Sequence, residues 1–313
     1  MMELDSLGNV VVATLDEKKA PISIVVKQKD GKCSAEEVFK KACKALGLKE
    51  KSTKYFTLLQ GSAYPIKKFN HTDEIDCKIK DLTIQKWCFD QAAEKSLLTK
   101  DEIALHLVFI QAQNAIKKGF LKCTSEQTHK LEEFLDPSFH LENQYVALCQ
   151  NLSLYNHAVI SPCSLCVTLQ TQNIKIDKDI KFTLLVGLKG LELCTDTQRY
   201  WVAWPNIKSW FREKKQESIG YQMQSNDGVV HLLHFATNQA PYLLAVTMEI
   251  IKVLQREQDE HIFMETSMVK KHDEVMTHWD NSLFNPDMTK NSVQSNNDSG
   301  AINLAHIDDI KAQ

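Results

Sequence analysis

The stretch that most constrains this 313-residue chain is Val229 to Leu254, VVHLLHFATNQAPYLLAVTMEIIKVL. Its first seven residues, Val229 to Phe235, make an apolar run with the length and β-branched content of a strand. After the polar hinge Ala236-Thr237-Asn238-Gln239, apolar residues recur at Leu243, Val246, Ile250 and Leu254, the spacing of one helix face. Asn238 is positioned to cap that helix, and Pro241 falls in its first turn, where a missing N–H costs nothing. A strand that runs straight into an amphipathic helix needs a sheet for the helix to cover.

The chain just upstream supplies one. Strand-like segments follow one another at Lys181 to Val186, Leu188 to Cys194, Arg199 to Trp204, Ile207 to Arg212 and Ser218 to Gln222. Short strands closed by one helix describe a pleckstrin-homology or phosphotyrosine-binding-like lobe, expected over 180–257. Residues 258–280 have helical composition. The tail 281–313 is rich in Asn, Ser and Asp, poor in apolar residues, and expected to be disordered.

The front of the chain reads differently. Val10, Val12, Thr14 and Ile22, Ile24, Val26 alternate with more polar neighbours across the turn from Asp16 to Pro21, a hairpin pattern. Ser34-Ala35-Glu36-Glu37 is a capping box opening a helix that presents Val38, Ala42 and Leu46 and stops at Gly47. Further strands are expected at Tyr55 to Gln60, Tyr64 to Lys68 and Leu82 to Trp87. This is the element order of a ubiquitin-like β-grasp, expected over 9–88. Residues 91–170 then read as three helices on short connections. The first follows a capping box at Thr99-Lys100-Asp101-Glu102, the second one at Thr124-Ser125-Glu126-Gln127, and the third starts near Ser138.

Composition excludes several functions. Only three arginines occur, at 199, 212 and 256, poor equipment for nucleic acid, where arginine dominates specific base contacts. No Gly-rich phosphate loop, G-x-S-x-G or H-E-x-x-H motif is present, so no enzyme and no cofactor are expected. Cys163-Ser164-Leu165-Cys166 is a lone C-x-x-C without a convincing second pair, so no metal is expected, and His231 and His234 would face opposite sides of a strand. Nine scattered cysteines form no disulfide framework, no apolar run reaches the roughly 20 residues of a membrane span, and no leader is evident. These features point to a cytoplasmic chain. The net charge of −3 is uneven: 16 lysines face 10 acids over 9–87, whereas 4 face 10 over 258–313. A Lys-rich first lobe is suited to anionic phospholipid or an acidic partner such as a small GTPase.

Leu82 to Cys123, LTIQKWCFDQAAEKSLLTKDEIALHLVFIQAQNAIKKGFLKC, resembles the junction of the first two lobes in the FERM module of the PX-FERM sorting nexins. Leu152 to Cys166 and the spacing of Trp210 before the final strand and helix extend the similarity over roughly 9–256. The resemblance implies an α+β, three-lobed FERM fold: a ubiquitin-like β-grasp, an acyl-CoA-binding-protein-like helical bundle, and a PH/PTB-like β-sandwich capped by a helix. It also implies a non-enzymatic adaptor for Asn-Pro-x-Tyr sorting signals in cytoplasmic tails of membrane proteins, peripheral on endosomal membranes. A scaffold linking receptor tails to cytoskeletal or small-GTPase partners is the alternative. In that family a phosphoinositide-binding PX domain precedes the FERM module, and with a first strand expected near residue 9 there is no room for one here.

The resemblance places the peptide site on the third lobe. A tail peptide would add as a strand to the edge formed by Ile207 to Arg212, its Asn and Pro would set a turn, and its aromatic would enter an apolar pocket. Trp210 matches the family's Trp on this strand, with Ser209 and Phe211 beside it and Tyr242, Leu243 and Val246 of the helix across the groove. With Arg212 the one arginine near this edge, the unphosphorylated signal is the expected ligand. The tail segment Leu283-Phe284-Asn285-Pro286-Asp287-Met288 has the shape of such a signal with Met in the aromatic slot, and reads as a chance turn.

Overall fold

The computed structural model describes residues 6–258 apart from 62, 63, 137, 139, 171–174, 179, 214–216 and 225–227. The expected disordered tail, with its Leu283 to Met288 segment, lies outside the described residues, as does all but the first residue of the expected extension over 258–280. Two compact units divide the chain, Met1–Met248 and Glu249–Gln313. The first holds every described sheet, and in the second the described residues 249–258 are helical.

The front of the chain folds as its pattern predicts. β1 (Ser6–Ala13) and β2 (Ile22–Gln28) pair antiparallel, burying Val10, Val12, Ile24 and Val26 and leaving Val11 and Val25 to solvent. After β3 (Lys32–Ser34), the helix α1 (Ala35–Leu46) starts at Ser34, whose side chain accepts from the Glu37 amide. It ends at Gly47, whose φ of 79° is the left-handed value that glycine adopts at little cost. Then come β4 (Phe56–Gln60), β5 (Lys67–Lys68), β6 (Glu74–Asp76) and β7 (Leu82–Lys86). The main sheet has order β2-β1-β7-β4-β5 with β1 and β7 parallel at its centre, the β-grasp arrangement.

Among the described residues four helices follow, not three: α2 (Gln91–Leu98), α3 (Glu102–Lys117), α4 (Ser125–Glu133) and α5 (Glu142–Cys149). Asp90 caps α2, and Thr99, expected to start a helix, is instead the residue that ends it. Asp101 caps α3 through the amides of Ile103 and Ala104, while its other oxygen accepts from the Lys49 amide of the β-grasp lobe at 3.0 Å. That contact between lobes is invisible to a local pattern and favours Asp101 over Thr99. At Thr124 and Gln127 the reciprocal capping box forms as expected.

The helical span ends earlier than its sequence suggested. β8 (Ala158–Leu165) falls inside the range read as helical, yet it pairs with strands of the third lobe. Its residues AVISPCSL, with a proline and a burial pattern that alternates only over the first four, lack the usual strand signature. After the short pair β9 (Leu169–Gln170) and β10 (Lys175–Ile176) come β11 (Lys181–Gly187), β12 (Gly190–Cys194), β13 (Arg199–Ala203), β14 (Ile207–Glu213), β15 (Ser218–Gln224) and β16 (Val230–Ala236). The seven-stranded sheet runs β13-β12-β11-β8-β16-β15-β14, antiparallel throughout, so β8 joins its two halves and β14 is a terminal strand.

Residues 240–248, α6, follow directly from β16. The Gln239 carbonyl accepts the first helical bond from the Leu243 amide at 2.8 Å, and Thr237 Oγ1 accepts from the Gln239 amide at 3.2 Å. The cap is therefore one residue beyond Asn238, which plays no such part.

Candidate functional site

The edge strand β14 pairs on one side only among the described residues, so its other side offers a row of backbone donors and acceptors. Register divides its side chains into two faces. Trp210 stands opposite Tyr221, and Arg212 opposite Ile219; both partners are fully buried, so this face looks into the core. Tyr221 donates to or accepts from Thr247 of α6 at 2.7 Å, which ties this face to the helix. Burial raises the Tyr221 pKa, so the phenol stays neutral in that bond.

Trp210 and Arg212 are only half-buried, yet Trp210 Nε1 and Arg212 Nε are both cut off from solvent and have no hydrogen-bond partner. Buried donors of this kind are rare because each forfeits its hydration without return. The Trp210 side chain is turned toward the core face at the open edge, not out to solvent. Ser209 and Phe211 do not share that face. Ser209 donates to Gln222 at 2.9 Å, and Phe211 lies over Gly220 with its ring 5.5 Å from that of His234. A Cβ at Gly220 would come within 2.3 Å of the Phe211 ring, so glycine is what lets the aromatic lie flat across the sheet.

The helix residues expected across the groove sit elsewhere. Leu243 and Val246 are fully buried and fill the core. Tyr242 packs its ring against Trp87 of the β-grasp lobe, centroids 6.0 Å apart, at a junction of lobes. Helical periodicity put Leu243 and Val246 on the apolar face; which neighbour that face meets is a tertiary matter.

That junction holds residues no motif singled out. Gln239, fully buried, donates through Nε2 to the Pro65 carbonyl at 2.9 Å and accepts through Oε1 from the Ser161 amide at 2.7 Å, joining the β-grasp lobe to β8 and α6. Glu94, also fully buried, pairs with Lys86 Nζ and accepts from Gln150 at 2.7 Å and Tyr155 at 2.5 Å; the Lys86 ammonium also contacts Asn156 and lies 4.4 Å from the Tyr155 ring centroid. Removing either charge would leave the other buried alone. An isolated Lys or Glu in a sequence gives no sign of such a pair. Cys163 is buried, its thiol 3.5 Å from the Ile160 carbonyl, and burial raises its pKa to about 12. Among the described residues no three His, Cys, Asp or Glu side chains cluster to hold a metal.

No protein-family model matches the sequence, and no curated protein sequence matches it. Solved structures do. The FERM and C-terminal domain complex of Drosophila Merlin matches at 13% identity and a TM-score of 0.53, over 81% of this chain and 98% of that one. The MyTH4-FERM MF2 domain of Dictyostelium discoideum myosin VII matches at 13% identity and a TM-score of 0.56, over 79% of this chain and 60% of that one. At such identity the likeness shows the fold alone: the chain has the three-lobed α+β FERM fold.

Proposed function

We propose that this chain is a non-enzymatic adaptor that binds Asn-Pro-x-Tyr-type sorting signals in the cytoplasmic tails of membrane proteins, acting at endosomal membranes. The observation that carries the reading is the open edge of β14 together with the two unpartnered donors beneath it, Trp210 Nε1 and Arg212 Nε. An added peptide strand would pair its backbone with the edge and bring carbonyl acceptors within reach of both donors. Trp210 anchors the peptide, while Ser209 and Phe211, on the opposite face, hold β14 in place through Gln222 and Gly220. Among the described residues no helix is long and apolar enough to cross a membrane, which suits recruitment by a partner's tail.

Fluorescence anisotropy of a labelled Asn-Pro-x-Tyr tail peptide tests this. Binding by the wild-type chain and a loss of about 30-fold in Trp210→Ala, near 2 kcal/mol, is expected of a central aromatic anchor. The phosphotyrosine version should bind more weakly. Equal binding by Trp210→Ala with an unchanged circular dichroism spectrum would remove the site, and tighter phosphopeptide binding would reverse the ligand preference.

A further inference from the structure

A cavity of about 140 Å³ opens where the three lobes meet. The β-grasp lobe contributes Trp87, the helical lobe Val108 and Lys118, and the third lobe His157 and Tyr242. Its volume is close to that of an apolar cavity known to take benzene, about 150 Å³.

The wall has a one-sided chemistry. Apolar surface comes from Val108, Leu121 and Tyr242, whereas Lys86, Lys118 and His157 line it and not one Asp or Glu does. Lys86 is answered by Glu94 and Asn156. Lys118, an exposed residue of the wall, has no carboxylate within ion-pair distance among the described residues, and partial desolvation of its ammonium lowers its pKa despite the more distant charge of Glu17. His157 is held by its Nδ1, 3.1 Å from the Tyr155 carbonyl. Trp87 is 93% buried, and its Nε1 is cut off from solvent with no acceptor. Trp87 Nε1 is thus a buried donor without a partner in this wall, and Lys118 adds an exposed ammonium with no carboxylate to pair with, so an anionic acceptor would serve both.

We infer that this cavity is a binding site for a small organic carboxylate with an apolar body, its carboxylate held by Lys118 Nζ and Trp87 Nε1 and its body against Val108, Leu121 and Tyr242. The site stands apart from the β14 edge: no residue of β14 is in its wall, and Tyr242, which is, lies against Trp87. Filling the cavity would also join all three lobes, so binding should raise the stability of the whole fold.

Saturation-transfer NMR with benzoate as the probe, and benzene and inorganic phosphate as separate arms, tests the assignment on the full chain. Benzoate should bind, and neither of the others should displace it at equal concentration. Lys118→Met and Trp87→Phe, which keep the bulk of each side chain, should each weaken benzoate about tenfold or more, while Lys118→Arg should retain it. Benzoate should raise the melting temperature of the wild type more than that of Lys118→Met at the same concentration. No benzoate binding by the wild type, benzene binding equally well, phosphate displacing benzoate, or equal affinity in Lys118→Met and Trp87→Phe would each overturn the proposal. Should Trp87→Phe fail to fold, the Lys118→Met and Lys118→Arg pair decides alone.

Discussion

Asp101 offers a test of how the first two lobes are fastened. Its carboxylate is almost fully buried, one oxygen serving the Ile103 and Ala104 amides that open α3 and the other the Lys49 amide across the lobe boundary. Asp101→Ala removes a helix cap, about 1 kcal/mol, and a charge-assisted bond between lobes, about 1.5–3 kcal/mol. Lys49 is exposed, so water recovers part of the second contribution, and a total near 2–4 kcal/mol is expected. For a domain of this size that is a fall in melting temperature of roughly 6–12 °C. Asp101→Asn is the sharper probe: its oxygen can still cap α3, but its NH₂ then meets the Lys49 N–H, donor against donor.

The pH dependence of that variant fixes the mechanism. Burial raises the Asp101 pKa, but bonds from Ser52 and the Ala104, Lys49 and Ile103 amides outweigh it, and the carboxyl titrates below its ordinary value. A depressed folded pKa contributes stability that is present above the unfolded value, about 3.9, and lost as pH falls through the folded value. The wild type should therefore lead Asp101→Asn in urea unfolding by a constant margin at neutral pH, with the margin shrinking below about pH 4. Asp101→Ala melting within roughly 2 °C of the wild type, or a margin that does not shrink in acid, would refute the account.

Two other substitutions probe buried chemistry. Glu94→Ala should cost about 3–5 kcal/mol in urea unfolding, because Lys86 is left charged in a dry site, and the double change Glu94→Ala with Lys86→Met should recover part of the loss. Gly190→Ala should give an unstable chain, by about 2–5 kcal/mol in the same assay, since φ is 152° and the new Cβ would lie 2.0 Å from the Val202 carbonyl oxygen of the neighbouring strand.

Local pattern was enough wherever one segment's own chemistry settles its state. Ser34 and Glu37 start a helix, Gly47 ends it, Thr124 and Gln127 make a capping box, and the alternation in β1 and β2 sets which face is buried. The same logic made β14 a strand and marked Trp210 as its large aromatic. Each of these follows from hydrogen bonds or periodicity within a few residues.

What the sequence could not hold is which partner a residue meets across the fold. Asp101 displaced Thr99 as the cap because Lys49, 52 residues away, shares its carboxylate. Gln239 took the cap from Asn238 at the chain position where its side chain also reaches Pro65 and Ser161. β8, with a proline and only partial alternation of its own, became a strand because β11 and β16 stand on either side to pair with it. By itself the sequence determined three lobes, an edge strand and a covering helix; tertiary packing decided which strands neighbour which, sent Tyr242 to Trp87 and left Trp87, Trp210 and Arg212 holding donors without acceptors. Periodicity specifies the face a side chain occupies, but hydrogen-bond satisfaction is settled only when distant segments converge.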